Sequence, residues 1–175
     1  MNKLTQFMIS TLVISLFLLV GCTDKTEKKA EDENIKTITT VLEKNFTGPD
    51  TELKELMSQS GEVWKENLAK YEETHYKPHF ANEDAFQDYI STYSAVLWIE
   101  PLRNNYELDV KDIQFEKQDA KQTTYDFTLE VEYKKANSDS AKVELIDGKA
   151  ILNDEHKIIS LDLRVKDFIK IMSKS

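Results

Sequence analysis

Cysteine, glycine, proline and histidine are all scarce in this chain of 175 residues, which contains 1, 4, 3 and 3 of them, respectively. A single cysteine excludes an internal disulfide. Four glycines leave no glycine-rich loop for a phosphate group, and no Gly-x-Ser-x-Gly segment supplies a nucleophilic serine. The sequence therefore lacks the common signatures of nucleophilic catalysis and of phosphate binding.

Positive charge is also in short supply, with 23 Lys and Arg residues against 32 Asp and Glu residues and a formal net charge of −9. Residues 1–21 contain a single charged residue, Lys3, so the chain without them has a formal net charge of −10. A surface this acidic, with no cluster of basic residues, repels nucleic acid and anionic lipid headgroups. We therefore exclude nucleic acid as a partner.

One long apolar run is present, from Phe7 to Val20, and it follows the positively charged Lys3. Its 14 residues are fewer than the roughly 18 to 20 that a permanent membrane-spanning helix needs. The run leads into Leu19-Val20-Gly21-Cys22, which resembles at every position the sites cut by lipoprotein signal peptidase. We predict that residues 1–21 are a lipoprotein signal peptide, a targeting segment excluded from the fold, and that lipidation occurs on Cys22.

Residues 22–34 then form the lipidated cysteine and a flexible charged tether, because eight of the twelve residues from 23 to 34 are charged. The expected location is the cell membrane, lipid-anchored on its extracytoplasmic face. The alternative is an uncleaved anchor helix with an incidental thiol. The remaining residues, 35–175, have the size of a single domain with its own core.

Helical spacing dominates the first half of this domain. Apolar residues three and four apart predict a helix over 32–46, a second helix from residue 50 with a bend or break at Gly61, and a third that Asn82 caps and that ends at Pro101. Pro78 interrupts the pattern between the second and third helices. We expect a short strand or irregular crossing over residues 76–80.

From Tyr106 onward the apolar residues recur with a period of two, which indicates strands. A phase change at Lys111-Asp112 predicts a bulge in the first strand. The second strand alternates without a miss from Tyr125 to Tyr133. In the third strand we expect Val143 and Leu145 to face inward and Gly148 to form a bulge. A fourth strand, Ile159 to Val165, and a short C-terminal helix follow.

Separate helices followed by an antiparallel meander predict the α+β class, with N-terminal helices packed on a curved four-stranded antiparallel sheet. The segments Phe46-Thr47-Gly48-Pro49-Asp50, Tyr76-Lys77-Pro78-His79-Phe80 and Tyr125-Asp126-Phe127-Thr128 are similar to those of small uncharacterised lipoproteins of Gram-positive bacteria. That family has a cystatin-like domain of the nuclear-transport-factor-like superfamily. The resemblance covers residues 35–175 and implies a cone-shaped fold, and it carries no catalytic residue across.

Some members of this superfamily, the ketosteroid isomerases and scytalone dehydratases, place acids and tyrosines in the mouth of the cone. The corresponding candidates here are aromatic and would line a pocket: Tyr89, Tyr93, Tyr125, Tyr133, Trp64 and Trp98. The same spacing is also what a filled core requires. No acidic residue interrupts the predicted inward positions of the strands, so we expect no enzyme activity.

Neither a metal nor a cofactor is expected. Glu72, His75 and His79 have the spacing of one helix face, but Pro78 prevents a continuous helix from presenting them together. Asp126, Glu130 and Glu132 share the polar side of one strand and are expected to be its solvated face.

The function that we expect is a membrane-anchored, non-catalytic binding domain that contacts an envelope protein or another envelope component through its sheet or cone mouth. The alternative is a binder of a small apolar ligand, or an isomerase- or dehydratase-like enzyme, that uses a tyrosine-lined pocket. The two differ in whether the tyrosines line a cavity or pack solidly.

Overall fold

The structure is a computed structural model, and it describes residues 32–118 and 123–173. The predicted signal peptide, Cys22 and the tether up to residue 31 lie outside the described residues. No helix of the described part is long and apolar enough to cross a membrane.

Helices make up the first half of the described chain, and side chains cap three of them. The helices are α1 (Glu33–Phe46), α2 (Thr51–Met57), α3 (Gly61–His75), α4 (Glu83–Tyr89) and, after a π-helical segment (Ile90–Ile99), α5 (Glu100–Arg103). Asp32, Asp50 and Asn82 each accept a hydrogen bond from a backbone amide of the first turn that they cap. The predicted cap at Asn82 and the predicted break at Gly61, whose φ is +70°, are both confirmed.

Asp32 caps α1 and the helix starts at Glu33, which precedes the predicted domain start at residue 35. The last residues assigned to the tether therefore belong to α1, and Asn34 is only 5% exposed. At the predicted crossing, Lys77–His79 forms a 3₁₀ turn, and Phe80 then makes a single parallel bridge to Ile158.

The π-helical segment corrects the third predicted helix, which was expected to keep a period of 3.6 up to Pro101. Leu97, Trp98 and Ile99 are consecutive in sequence, and all three are at most 4% exposed. One face of an α-helix cannot bury three successive side chains. The segment contacts α1, its Trp98 packs against Tyr71 of α3, and its Tyr93 hydroxyl accepts a hydrogen bond from the Leu163 amide, so it is enclosed on more than one side.

Four strands form an open antiparallel meander in the order β1-β2-β3-β4. The strands are β1 (Tyr106–Lys117), β2 (Thr124–Lys135), β3 (Lys142–Leu152) and β4 (Ile158–Leu163), and helix α6 (Lys166–Met172) follows. The register of β1 against β2 shifts between Val110 and Asp112, which confirms the bulge predicted there. The α+β class, with helices packed against a four-stranded antiparallel sheet, is therefore confirmed.

The inward face of the sheet carries the core. Along β2 the inward side chains are all at most 8% exposed: Tyr125, Phe127, Leu129, Val131 and Tyr133. Phe46 of α1 and Phe168 of α6 meet edge to face at 5.5 Å in the same core. The alternation of apolar and polar residues along β2 thus correctly predicted which side chains are buried and which are not.

The third strand is present as predicted, but the predicted orientation of its first half and the predicted bulge at Gly148 are wrong. Val143 and Leu145 face outward and are 49% and 63% exposed, whereas Ile146 is buried. No bulge occurs at Gly148, which pairs in regular register with Phe127 on β2 and with Leu163 on β4. Gly148 instead allows a close approach, since a Cβ there would lie 2.3 Å from the Phe127 ring.

Candidate functional site

Three of the six aromatic residues predicted to line a pocket belong to one packed aromatic cluster beneath the helices. The Tyr89 ring lies 5.5 Å from that of Tyr93 and 5.9 Å from that of Tyr76. Tyr76 in turn contacts Tyr71, whose ring lies 5.6 Å from Trp98. These separations are those of rings in direct contact, so Tyr89, Tyr93 and Trp98 each pack against a neighbouring aromatic ring.

Tyr125 has a structural role at the start of the fold. Its ring is 1% exposed, and its hydroxyl donates a hydrogen bond to Asp32 Oδ2 at 2.8 Å and accepts one from Asn34 Nδ2 at 3.1 Å. Asn34 Oδ1 lies 2.7 Å from His156 Nδ1 in the turn after β3. Partial burial disfavours the Asp32 carboxylate, but the hydrogen bonds from Tyr125 and Asn34 outweigh burial and lower its pKa. This network fastens the first turn of α1 to the sheet.

Tyr133 and Trp64 lie apart from these two groups. Tyr133 packs against Tyr106 at 6.1 Å near the start of β1, and Trp64 is half-buried on α3. Of the six predicted residues, Trp98 borders a cavity of about 10 Å³, the size of a single water molecule, and Tyr93 borders a hollow on the surface. The six residues therefore fall into four places: the aromatic cluster, the Tyr125 network, Tyr133 on β2 and Trp64 on α3.

Glu72, a buried acid, lies beside the aromatic cluster, and the sequence did not indicate a catalytic role for it. Glu72 on α3 is 9% exposed. Burial raises the pKa of its carboxyl group, and a hydrogen bond with Ser94 of the π-helical segment offsets part of this effect. Glu72 lines neither of two surface depressions of the structure, a polar one on the sheet and an apolar one beside α6. A carboxyl group with a raised pKa fits a general acid or base only where a substrate can reach it.

The inward strand positions include one acid, Glu144, contrary to the expectation from the sequence. Because Val143 and Leu145 face outward, Glu144 takes an inward position on β3 and is half-buried. Its negative charge helps to raise the pKa of Tyr133, after the larger effect of burial.

The histidines of the predicted helix face lie on different elements. His75 ends α3 and places Nε2 at 2.8 Å from Glu52 Oε2 on α2. His79 lies in the 3₁₀ turn, where burial and the charge of Lys157 lower its pKa. No group of three potential metal ligands occurs within the described residues.

A polar groove of about 560 Å³ crosses the outward face of all four strands, and we call it the sheet groove. Two rows of paired side chains form its walls, and the backbone around Gly148 lies between them. One row is Glu116, Asp126, Lys149 and Asp162, and the other is Gln114, Thr128, Asp147 and Arg164. The regular register of the four strands around Gly148 brings these residues together from separate segments of the chain.

Negative charge prevails in the sheet groove, which holds four carboxylates and two cations. Lys149 Nζ lies 3.5 Å from Asp126, and an Arg164 guanidinium nitrogen lies 3.6 Å from Asp147. These side chains are well exposed, and pairs of this kind stabilise a protein by about 1 kcal/mol or less. A ligand that brings its own positive charges can therefore replace Lys149 and Arg164 at little cost.

Two acids in the groove are held in place by hydroxyl groups. Thr128 donates a hydrogen bond to Asp147 at 2.9 Å, and Tyr93 donates one to Asp162 at 3.1 Å. The Tyr93 hydroxyl also accepts a hydrogen bond from the Leu163 amide at 3.0 Å, which ties the π-helical segment to β4. Two of the four groove carboxylates, those of Asp147 and Asp162, are thus oriented by hydroxyl groups.

A second surface depression, the apolar hollow, adjoins the sheet groove at Arg164 and has a volume of about 590 Å³. It lies between the π-helical segment and α6, and its apolar walls come from Tyr93, Leu163, Val165 and Ile169. Lys166 and Asp167 stand at its rim together with Arg164. Segments of π-helix frequently occur at functional sites.

No protein-family model matches the chain, and the comparison with curated proteins finds no match. Among solved structures the chain is similar to a candidate transfer protein, TraH, from the Gram-positive conjugative plasmid pIP501, determined in solution by NMR. The two are 13% identical, the match covers 76% of this chain and 92% of that chain, and the TM-score is 0.47.

Proposed function

We propose that this protein is a lipid-anchored, extracytoplasmic binding module without catalytic activity, and that its sheet groove binds a basic segment of an envelope protein. The lipid on Cys22 supplies the anchor, and the charged segment that follows it lets the domain stand away from the membrane. The motifs that resemble small Gram-positive lipoproteins support this assignment.

The observation that carries the proposal is the composition of the sheet groove. Its eight polar wall residues present four carboxylates, two of which are oriented by hydroxyl groups. The formal net charge of −10 that remains after removal of residues 1–21 would attract cationic partners before contact. The aromatic interior argues for a surface function, since its rings are in mutual contact.

A peptide titration followed by NMR tests this function. The mature chain, residues 22–175 with Cys22→Ser, would be titrated with a lysine- and arginine-rich decapeptide and, separately, with a glutamate-rich decapeptide. We expect the basic peptide to shift the backbone amide signals of the strands around Asp126, Asp147 and Asp162. The acidic peptide should leave them unchanged.

Charge reversal inside and outside the groove distinguishes binding to the groove carboxylates from attraction by the net charge of the whole chain. A Glu116→Lys/Asp126→Lys variant should weaken binding of the basic peptide about tenfold or more, because it reverses two groove carboxylates. A Glu62→Lys/Glu66→Lys variant makes the same change of net charge on α3 and should bind almost as the parent does. Equal weakening by both variants, or shifts spread over the helices, would contradict binding in the groove.

Membrane anchoring is tested by fractionating cells that express the Cys22→Ala variant. The parent chain should be found with the membranes, and the variant should be found free of them because no lipid can be attached. Retention of the variant at the membrane would overturn the lipoprotein assignment.

A second candidate function, binding of a small apolar ligand, is favoured by one observation. The apolar hollow includes Tyr93, one of the predicted pocket residues, and lies at the surface rather than inside the fold. Native mass spectrometry of the chain purified from its host would show a bound ligand as added mass. Loss of that mass in an Ile169→Asp variant would place the ligand in the hollow.

A further inference from the structure

The first half of β3 forms an open edge of the sheet. β4 pairs with β3 from Leu152 to Gly148, and the Arg164 amide donates one further hydrogen bond to the Asp147 carbonyl at 2.9 Å. At Val165 the chain leaves the sheet and enters α6. Residues 142–146 of β3 are therefore paired with β2 alone.

The backbone hydrogen bonds show which β3 residues point toward this edge. The Leu152 amide donates to Thr123 next to β2, whereas the Asp147 carbonyl accepts from Arg164 on the opposite side. Backbone groups alternate from one side of a strand to the other, so Val143 and Leu145 direct their amides and carbonyls toward the open edge. No segment within residues 32–118 or 123–173 pairs with them.

The side chains along the edge are apolar on one face and charged on the other. Val143 and Leu145 project outward and are 49% and 63% exposed. Lys142 and Glu144 lie on the inward face, two residues apart and of opposite charge. An exposed, unpaired edge with apolar side chains is a template for pairing with another strand.

We propose that this edge pairs with the same edge of a second copy of the chain, antiparallel and with Val143 opposite Val143. In this register Lys142 of each copy faces Glu144 of the other, so the two-fold axis creates the ion pair twice. Leu145 then faces Ala141 on the outward side, and the apolar contact runs along the whole seam.

The two neighbouring registers that keep the same faces together are both disfavoured by charge. A shift by two residues in one direction sets Lys142 directly opposite Lys142, and a shift in the other direction brings the two Glu144 residues together. Like charges in direct cross-strand contact are destabilising. Charge therefore selects the register centred on Val143, and the product is a continuous eight-stranded sheet.

Sedimentation equilibrium of the mature chain with Cys22→Ser, over a series of concentrations, tests the proposal. We expect a reversible dimer. Lys142→Glu alone and Glu144→Lys alone should each weaken dimerisation by about tenfold, because each places two like-charge pairs in the seam. The Lys142→Glu/Glu144→Lys double variant restores opposite charges across the two-fold axis and should dimerise as the parent does.

Backbone and apolar variants provide independent checks, with thermal unfolding to show that each variant is folded. Val143→Pro removes an amide that the monomer does not use, so it should abolish the dimer and leave the fold intact. Leu145→Lys should weaken the dimer, whereas Val63→Lys, at another exposed apolar position on α3, should not. A monomer at all concentrations, a dimer that survives Val143→Pro, or a double variant that fails to restore dimerisation would overturn the proposal.

Discussion

Replacing Gly148 by alanine probes the contact between β2 and β3 beneath the sheet groove. The added Cβ would lie 2.3 Å from Cζ of Phe127 and 2.7 Å from the backbone carbonyl oxygen of Asp162. Phe127 is only 3% exposed, so its ring has little room to move, and the carbonyl belongs to β4. Overpacking of this kind costs about 1 to 3 kcal/mol.

Part of this cost is offset in the unfolded chain. A Gly-to-Ala change reduces the conformational entropy of the unfolded state and recovers about 0.4 to 1 kcal/mol. We therefore expect Gly148→Ala to lower the free energy of unfolding by about 1 to 2 kcal/mol. For a domain of this size the melting temperature should fall by roughly 3 to 6 °C.

Urea denaturation of a double-mutant cycle with Phe127→Leu identifies the source of the effect. Shortening Phe127 removes the ring atoms that the new methyl group would meet, so Gly148→Ala should cost about 1 kcal/mol less in that background. The Asp162 carbonyl contact would remain in both backgrounds. A Gly148→Ala variant as stable as the parent, or more stable, would refute the close approach between Gly148 and Phe127.

Three further predictions concern the interior and the first helices. Tyr125→Phe should lower the free energy of unfolding in urea by about 1 to 3 kcal/mol, because the buried Asn34 amide loses its acceptor. Asp50→Ala should cost about 1 kcal/mol in thermal unfolding, since the Leu53 amide at the start of α2 loses its cap. Glu72→Gln should raise stability at pH 7, because burial raises the pKa of Glu72 and the folded state therefore disfavours its charged form. Urea titrations at several pH values should show this gain shrinking as the pH falls and vanishing below the usual carboxyl pKa of 4.5; a gain that persists there would refute it.

Local patterns predicted most of the helices and strands. The alternation along β2 is strict because one face is buried by the helices and the other is wet, and the phase change at Lys111 marks a real bulge. Asn82 caps α4 because its short side chain reaches the Ala85 amide at 2.9 Å. Each of these features depends on residues that are close together in sequence.

The errors arise where tertiary contacts decide. Val143 and Leu145 look like inward residues because they are apolar, yet the regular register of β3 requires them to face outward. Both residues lie at the open edge of β3. This edge exists because β4 ends before it reaches them, which the local sequence of β3 does not reveal. The π-helical segment was missed for a similar reason, since burial on several sides depends on elements that enclose it.

For the candidate sites, too, local sequence patterns are insufficient where tertiary contacts decide. Tyrosines at helical and strand spacing are typical both of a pocket and of a filled core, and only the three-dimensional packing of Tyr89 against Tyr76 and Tyr93 distinguishes the two. The sheet groove was missed because the outward residues of each strand look like an ordinary solvated face. Asp126, Lys149 and Asp162 become one wall only when the register sets them side by side.

Photo-crosslinking in intact cells tests most directly whether the outward face of the sheet binds a protein partner. A photoreactive phenylalanine analogue would replace Lys149 in the sheet groove or, as a matched exposed position on α3, Val63. The proposed function predicts a protein adduct from position 149 and none from position 63. Adducts from position 63 alone, equal adducts from both positions, or no adduct from position 149 would contradict it.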